Sequence, residues 1–208
     1  DDTESLLGLH RFAWVPLLAD IVEPRFLDTI WRTWLASFGK PKDGWPWHPY
    51  TAAERAINII DYATTNGFPG DPAATKAVLR AHAAPIAEGL EYWGEHNTSN
   101  HLANNGRGLY RIGLALGLDW AADMGRDILL NEAARIFRPS GILREGSSHY
   151  HLLYTQRYLD AWLHAQTFRR PEEKDLSAIA MRALSALQYL RMPGGFPLIG
   201  DISPDSPP

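Results

Sequence analysis

The sequence predicts an all-α fold, and three observations lead there. Apolar residues recur in stripes of helical period along most of its 208 residues. Helix punctuation recurs with them, as Asp-Pro and Glu-Pro starts and as glycines just past the ends of stripes. No segment alternates apolar and polar residues over a strand's length. The expected arrangement is about seven helices of similar length joined by short loops, which fits antiparallel neighbours in a bundle, a ring or a solenoid.

In chain order, residues 1–38 read as two helical pieces, the second following Glu23-Pro24 with Phe26, Ile30, Trp34 and Phe38 at four-residue steps. Gly39 to Gly44 break the pattern. An aromatic loop follows, Trp45-Pro46-Trp47-His48-Pro49-Tyr50, whose prolines forbid continued helix. Thr51 and Glu54 have capping-box spacing and open a helix with Ala53, Ala56, Ile57 and Ile60 on one face, ended by Asn66-Gly67. Asp71-Pro72 starts a long helix with Val78, His82, Ile86, Leu90 and Trp93 in a stripe, bent at Pro85. Beyond the Asn-rich stretch 97–105, Leu109, Ile112 and Leu116 mark a helix ended by Gly117. Asp119 is read as the cap of the next helix, with Leu129, Ala133, Ile136 and Phe137 on its inner face. Pro139-Ser140-Gly141 is a turn. Tyr150, Tyr154, Tyr158 and Trp162 then recur every four residues. A last helix, Pro171 to Arg191, carries Leu176, Ile179, Ala180, Ala183, Leu184, Leu187 and Leu190. The helical domain is drawn as 1–192, and 193–208, rich in Pro, Gly and Ser, is read as a linker.

Composition narrows the function classes. The net charge of −4 and a pI near 6.1, without a Lys/Arg cluster, do not suggest a nucleic-acid partner. The absence of cysteine excludes disulfides, thiolate catalysis and Cys-bound zinc. No apolar run reaches membrane-spanning length, so no membrane partner is expected. No cofactor is implied, and a protein-bound metal is not expected, since His149 and His151 at i, i+2 point apart on a helix and no HExxH spacing occurs.

Chemistry-bearing residues concentrate between Trp93 and Tyr158: Asn97, Asn100 and His101 at one end, Glu145, Ser147, His149, Tyr150 and His151 at the other. Each has a plain structural reading. Asn100 is an N-cap by position, His101 a core histidine, Tyr150 the start of a packed aromatic stripe, and Glu145 and Ser147 a loop end and a cap. Trp45, Trp47 and Tyr50 are either a packed loop or a platform for sugar rings.

Asn100-His101, followed by Glu145-x-Ser147-x-x-Tyr150-His151, resembles the paired motif of the heparinase II/III-like and related alginate-lyase families of bacterial polysaccharide lyases. Leu9-His10-Arg11-Phe12, Glu54-Arg55-x-x-Asn58 and Pro197-x-x-Gly200-Asp201 extend the likeness over nearly the whole chain. The resemblance implies an incomplete (α/α) toroid of paired helices, normally followed by a β-sandwich domain, so the present sequence matches only the helical part. It further implies an acidic polysaccharide substrate, β-elimination without an organic cofactor, and a periplasmic or secreted location. The sequence opens on Asp1-Asp2-Thr3 with no signal peptide, which leaves the cytoplasm open.

By that resemblance Asn100 hydrogen-bonds the substrate carboxyl group, His101 assists or acts as base, and Tyr150 protonates the leaving oxygen. Trp45, Trp47, Asn97, Glu145, His149 and His151 line the substrate path. A free tyrosine has a pKa near about 10, so base work by Tyr150 at neutral pH needs a depressed value, with His149 or His151 as the candidate influence. In the family a further histidine comes from the sandwich domain, and the helical part alone is expected to be a weak catalyst or none. Two other classes stay open: a non-catalytic carbohydrate-binding or scaffolding domain, and an inverting glycosidase using Glu145 and a second carboxylate.

Overall fold

A computed structural model of the chain describes residues 3–18, 21, 23–94 and 100–202. Among the described residues the fold is all-α, with two isolated antiparallel bridges, Phe137 with Leu143 and Met192 with Gly195, but no strand. The α-helices are α1 (Thr3–Arg11), α2 (Val15–Leu18), α3 (Pro24–Phe38), α4 (Pro49–Asn66), α5 (Pro72–Ala81), α6 (Ala83–Glu88), α7 (Asn100–Leu116), α8 (Asp119–Ile136), α9 (Ser148–Thr167) and α10 (Glu173–Ala186). Short 3₁₀ turns cover Trp45–Trp47 and Leu187–Leu190. No helix among the described residues is long and apolar enough to cross a membrane. The chain divides into two compact units, residues 1–91 with 100–125, and 92–99 with 126–208.

In the first unit α4 is the central element, packed against α1, α6 and α7. It is buried on nearly every side, including Ala52 and Ile59 as well as the expected Ala53, Ala56, Ile57 and Ile60. Its start differs from the capping box at Thr51. Pro49 is the first helical residue, where its fixed φ favours helix and its missing N–H costs nothing. Thr51 therefore lies inside the helix, and Glu54 pairs instead with Arg107 of α7 at 3.2 Å. Gly108 of α7 sits against Ala53 so closely that a Cβ there would come within 2.6 Å of the alanine methyl. That small-residue contact lets the two helices approach.

Several stripes shift by a residue. On α3 the buried side chains are Leu27, Trp31 and Trp34, whereas Phe26 and Ile30 are exposed, because a strict four-residue step drifts off the 3.6-residue period. Trp31 stacks on Trp34 at 5.3 Å and donates from its indole to Thr75 Oγ1 at 2.7 Å. The long helix expected after Asp71 is cut in two at His82, three residues before Pro85, which has no N–H to offer the preceding turn. Asp71 does cap α5, accepting from the Ala73 N–H at 2.9 Å. Leu90 and Trp93 lie beyond α6, so they leave the predicted stripe, and Trp93 is exposed. Asp119 is already the first residue of α8 rather than its cap; there a negative charge still complements the helix N-terminus.

In the second unit α9 packs on α10, with Tyr154 and Tyr158 buried along with the α8 face formed by Leu129, Ala133, Ile136 and Phe137. The Tyr158 hydroxyl donates to Leu129 O at 2.8 Å. The last helix ends at Ala186, five residues short of the sequence expectation, and Leu184 is exposed. The segment read as a linker is tied down in its first part. Ser147 Oγ donates to Asp201 O at 2.6 Å, Ser148 Oγ donates to Pro197 O at 2.6 Å, and the Ser148 N–H donates to Ile199 O at 2.9 Å. Residues 203–208 of that segment lie outside the described residues.

Candidate functional site

Three motif-like stretches of the first unit turn out to build one scaffold. Arg55 is fully buried with its guanidinium 4.1 Å from the centre of the Trp34 ring and 5.3 Å from that of Trp47. It donates to His10 O at 3.0 Å, Pro46 O at 2.7 Å and His82 Nε2 at 2.9 Å. Because His82 Nδ1 lies 2.7 Å from Val78 O, the ring carries its proton on Nδ1 and accepts on Nε2. Burial, and then the charge of Arg55, hold the His82 pKa well below its usual value, so the ring is neutral. Asn58 donates to Arg11 O at 2.9 Å. Arg55 and Asn58 thus clamp the turn at His10–Phe12, where Phe12 takes a positive φ of 55°. A left-handed phenylalanine costs about 1–2 kcal/mol, offset here by a fully buried ring against Trp31 and Trp34.

On this scaffold the start of α7 meets the aromatic loop. His101 Nδ1 lies 2.5 Å from Glu91 Oε2, and its ring is 4.7 Å from Tyr50 and 6.0 Å from His48. Among the described residues its Nε2 has no hydrogen-bond partner, and about 38% of the side chain is exposed. A carboxylate on Nδ1 fixes the tautomer and leaves Nε2 to act on whatever enters. His48 stands beside it, its own pKa lowered chiefly by burial. Arg11 places its guanidinium 4.8 Å from the centre of the Tyr50 ring.

Asn100 is the first described residue of α7, half-buried, and its amide makes no hydrogen bond among the described residues. Beside His48 a cavity of about 700 Å³ is lined by Lys42, Trp45, Trp47 and Pro49. Trp45 is half-exposed. Trp47 presents little surface: it is buried, and its indole donates to Phe38 O at 2.7 Å. Asn97 lies outside the described residues.

The second unit holds the other half of the motif, at the start of α9. Ser147 caps the helix, accepting from the Tyr150 N–H at 3.0 Å. Tyr150 stands in the first turn with 8% of its surface exposed and its ring 6.3 Å from that of His149. His149 is buried at 3% exposure, so it offers no open ring to a substrate path. His151 is engaged at both nitrogens: the Leu143 N–H donates to Nδ1 at 3.3 Å, and Nε2 donates to Ala183 O at 3.0 Å. Burial lowers its pKa. It serves the core that joins α9, α10 and the preceding turn, not the substrate. Glu145 is exposed, and partial burial followed by the nearby charge of Asp201 raises its carboxyl pKa.

Sequence reasoning singled out Asn100, His101 and Tyr150 but passed over Glu91, His48 and Arg11 as chemistry. Nothing local marks Glu91; only the return of the chain at α7 brings it to His101. Among the described residues no three His, Asp or Glu side chains converge as a metal site requires. Comparison with known proteins returns no match, whether to a protein-family model, to a characterised protein or to a solved structure.

Proposed function

We propose that the chain is the helical domain of a lyase that cleaves a uronate polysaccharide by β-elimination, folded as part of an (α/α) toroid. The observation that carries this reading is the Glu91–His101 pair beside His48, which lines a cavity with an exposed tryptophan and a lysine; Asn100, adjacent to His101 in sequence, has no amide hydrogen bond among the described residues. The proton at C5 of a uronate is weakly acidic, and the adjacent carboxylate opposes the carbanion that forms when it leaves. Asn100 would donate a hydrogen bond to that carboxyl group and His101 Nε2 would assist or take the proton, stabilisation that matters most as charge develops. Tyr150 would protonate the departing C4 oxygen. The new C4–C5 double bond, conjugated with the carboxyl group, absorbs ultraviolet light.

The test uses the protein expressed from its complete reading frame, incubated with glycosaminoglycan, alginate and other uronate polymers. Absorbance of unsaturated product should rise with the wild type and fall by orders of magnitude with Asn100→Ala or Tyr150→Phe. A second reading, an inverting glycosidase, draws on one feature, a Glu145 carboxyl whose pKa is raised first by partial burial and then by the charge of nearby Asp201, as a general acid requires. It expects new reducing ends without ultraviolet absorbance.

A further inference from the structure

The second unit carries a basic cavity that the proposed elimination does not use. It has a volume of about 310 Å³, at the lower end for small-molecule pockets. Ala133 and Phe137 of the α8 region and Ile179 of α10 form its apolar wall, and Arg138, Arg144 and Arg182 stand around it.

The backbone fixes this arrangement. The Arg138 N–H donates to Ile142 O at 2.8 Å, the Gly141 N–H donates to Arg138 O at 2.8 Å, and the Arg144 N–H donates to Ile136 O at 2.9 Å. These bonds close a tight turn that presents Arg138 and Arg144. Gly141, at φ 87°, touches the backbone of Arg182 so closely that no Cβ fits, which lays the turn on α10.

None of the three guanidinium groups has a hydrogen-bond, ring or carboxylate partner among the described residues. The acid next in sequence, Glu145, has Asp201 as its charged neighbour instead. Three like charges around one cavity on a chain of net charge −4 call for an anionic occupant. Arginine is the weakly hydrated, fork-shaped cation suited to carboxylate, and the apolar wall suits the C–H face of a sugar ring.

We propose that this cavity is a non-catalytic subsite holding one acidic sugar residue of a polyuronate chain. The assignment rests on the uronate reading above, but its test does not depend on turnover. The chain, labelled with ¹⁵N in arginine, is titrated with a saturated hexagalacturonate, a neutral hexaose and inorganic sulfate while the side-chain Nε–H signals are followed. Signals are assigned from the single Arg→Gln variants. The hexagalacturonate should shift the Arg138, Arg144 and Arg182 signals, the neutral sugar should not, and R138Q/R144Q/R182Q should weaken binding by about tenfold or more. Arg182→Gln, an exposed position on α10, replaces the triple variant if circular dichroism shows that variant misfolded, and should weaken binding in the same direction. Unchanged arginine signals at millimolar hexagalacturonate would overturn the proposal. So would a response to sulfate equal to the response to the uronate, which would reduce the cavity to a simple anion hole. Uronate-specific shifts here without unsaturated product anywhere would retain this subsite and sink the lyase reading; product formed while these signals stay still would do the reverse.

Discussion

His101 of the first unit and His151 of the second hold matching places in the paired motif, each directly after a residue with a proposed role, Asn100 and Tyr150. Their surroundings differ at every point that matters for reactivity. His101 is partly exposed, held at one nitrogen by Glu91, and among the described residues has no partner on the other. His151 is 1% exposed and satisfied on both nitrogens by backbone groups. A histidine in a motif is therefore not one kind of evidence. A nitrogen left over after the fold has taken its hydrogen bonds can act on a substrate, and a ring with none left over is part of the frame.

The largest effects should fall on turnover in the first-unit half of the motif and on Tyr150. His101→Ala and Tyr150→Phe should each lower turnover by about 10²- to 10⁴-fold, with melting temperatures close to wild type. His151→Ala should reverse that signature. Removing a buried ring and orphaning the Leu143 N–H and Ala183 O should cost about 2–5 kcal/mol of stability. Denaturant unfolding and single-turnover rates on the same samples separate the two outcomes, and similar losses of stability and activity in both variants would erase the comparison.

A smaller effect probes the segment that crosses the start of α9. Gly200 has φ 76°, and a Cβ there would meet Ser147 Cα at 3.0 Å. Gly200→Ala should cost about 1–2 kcal/mol and loosen the Ser147 cap beneath Tyr150. Unchanged stability would mean that residues 197–201 contribute nothing to the second unit.

The smallest effect is a pH slope. His10, His48, His82 and His151 all have pKa values lowered first by burial. Below about pH 6.5 the unfolded chain takes up protons that these folded rings refuse, so stability should fall as the pH drops from about 6.5 toward 5 and change little from these groups above 7. Glu145 acts in the opposite sense, since a raised folded pKa favours the folded state at low pH and that contribution is lost as the pH rises. It is largely exposed, so its share is minor. His82→Gln should flatten the acid slope of the melting temperature; a wild-type profile already flat between pH 5 and 7 would contradict neutral buried rings.

The helical class and most helix bounds were legible because stripe period and punctuation are local. Asp71-Pro72, Asn66-Gly67 and the inner face of α8 lie where they were read. What failed was the choice of face where aromatic residues crowd a helix, as on α3, where the continuous run of large side chains hides which ones the core selects. The bend expected at Pro85 is instead a break three residues earlier, at His82, where the turn lacks the N–H that Pro85 cannot supply. The same limit applies to the candidate site. Asn100, His101 and Tyr150 are candidates by motif, but the contact of Glu91 with His101 comes only through tertiary return of the chain, and the contacts of His151 with Leu143 and Ala183 are announced by no local pattern.

His101 and its neighbour Asn100 are proposed to serve an elimination on a uronate. The most direct test is the ultraviolet absorbance of unsaturated product when the protein from its complete reading frame meets uronate polymers, compared between wild type, Asn100→Ala, His101→Ala and His151→Gln at equal folded concentration. Absorbance should grow with the wild type, persist with His151→Gln and fall by orders of magnitude with the other two. Reducing ends without absorbance, or absorbance that survives loss of Asn100 and His101, would contradict it.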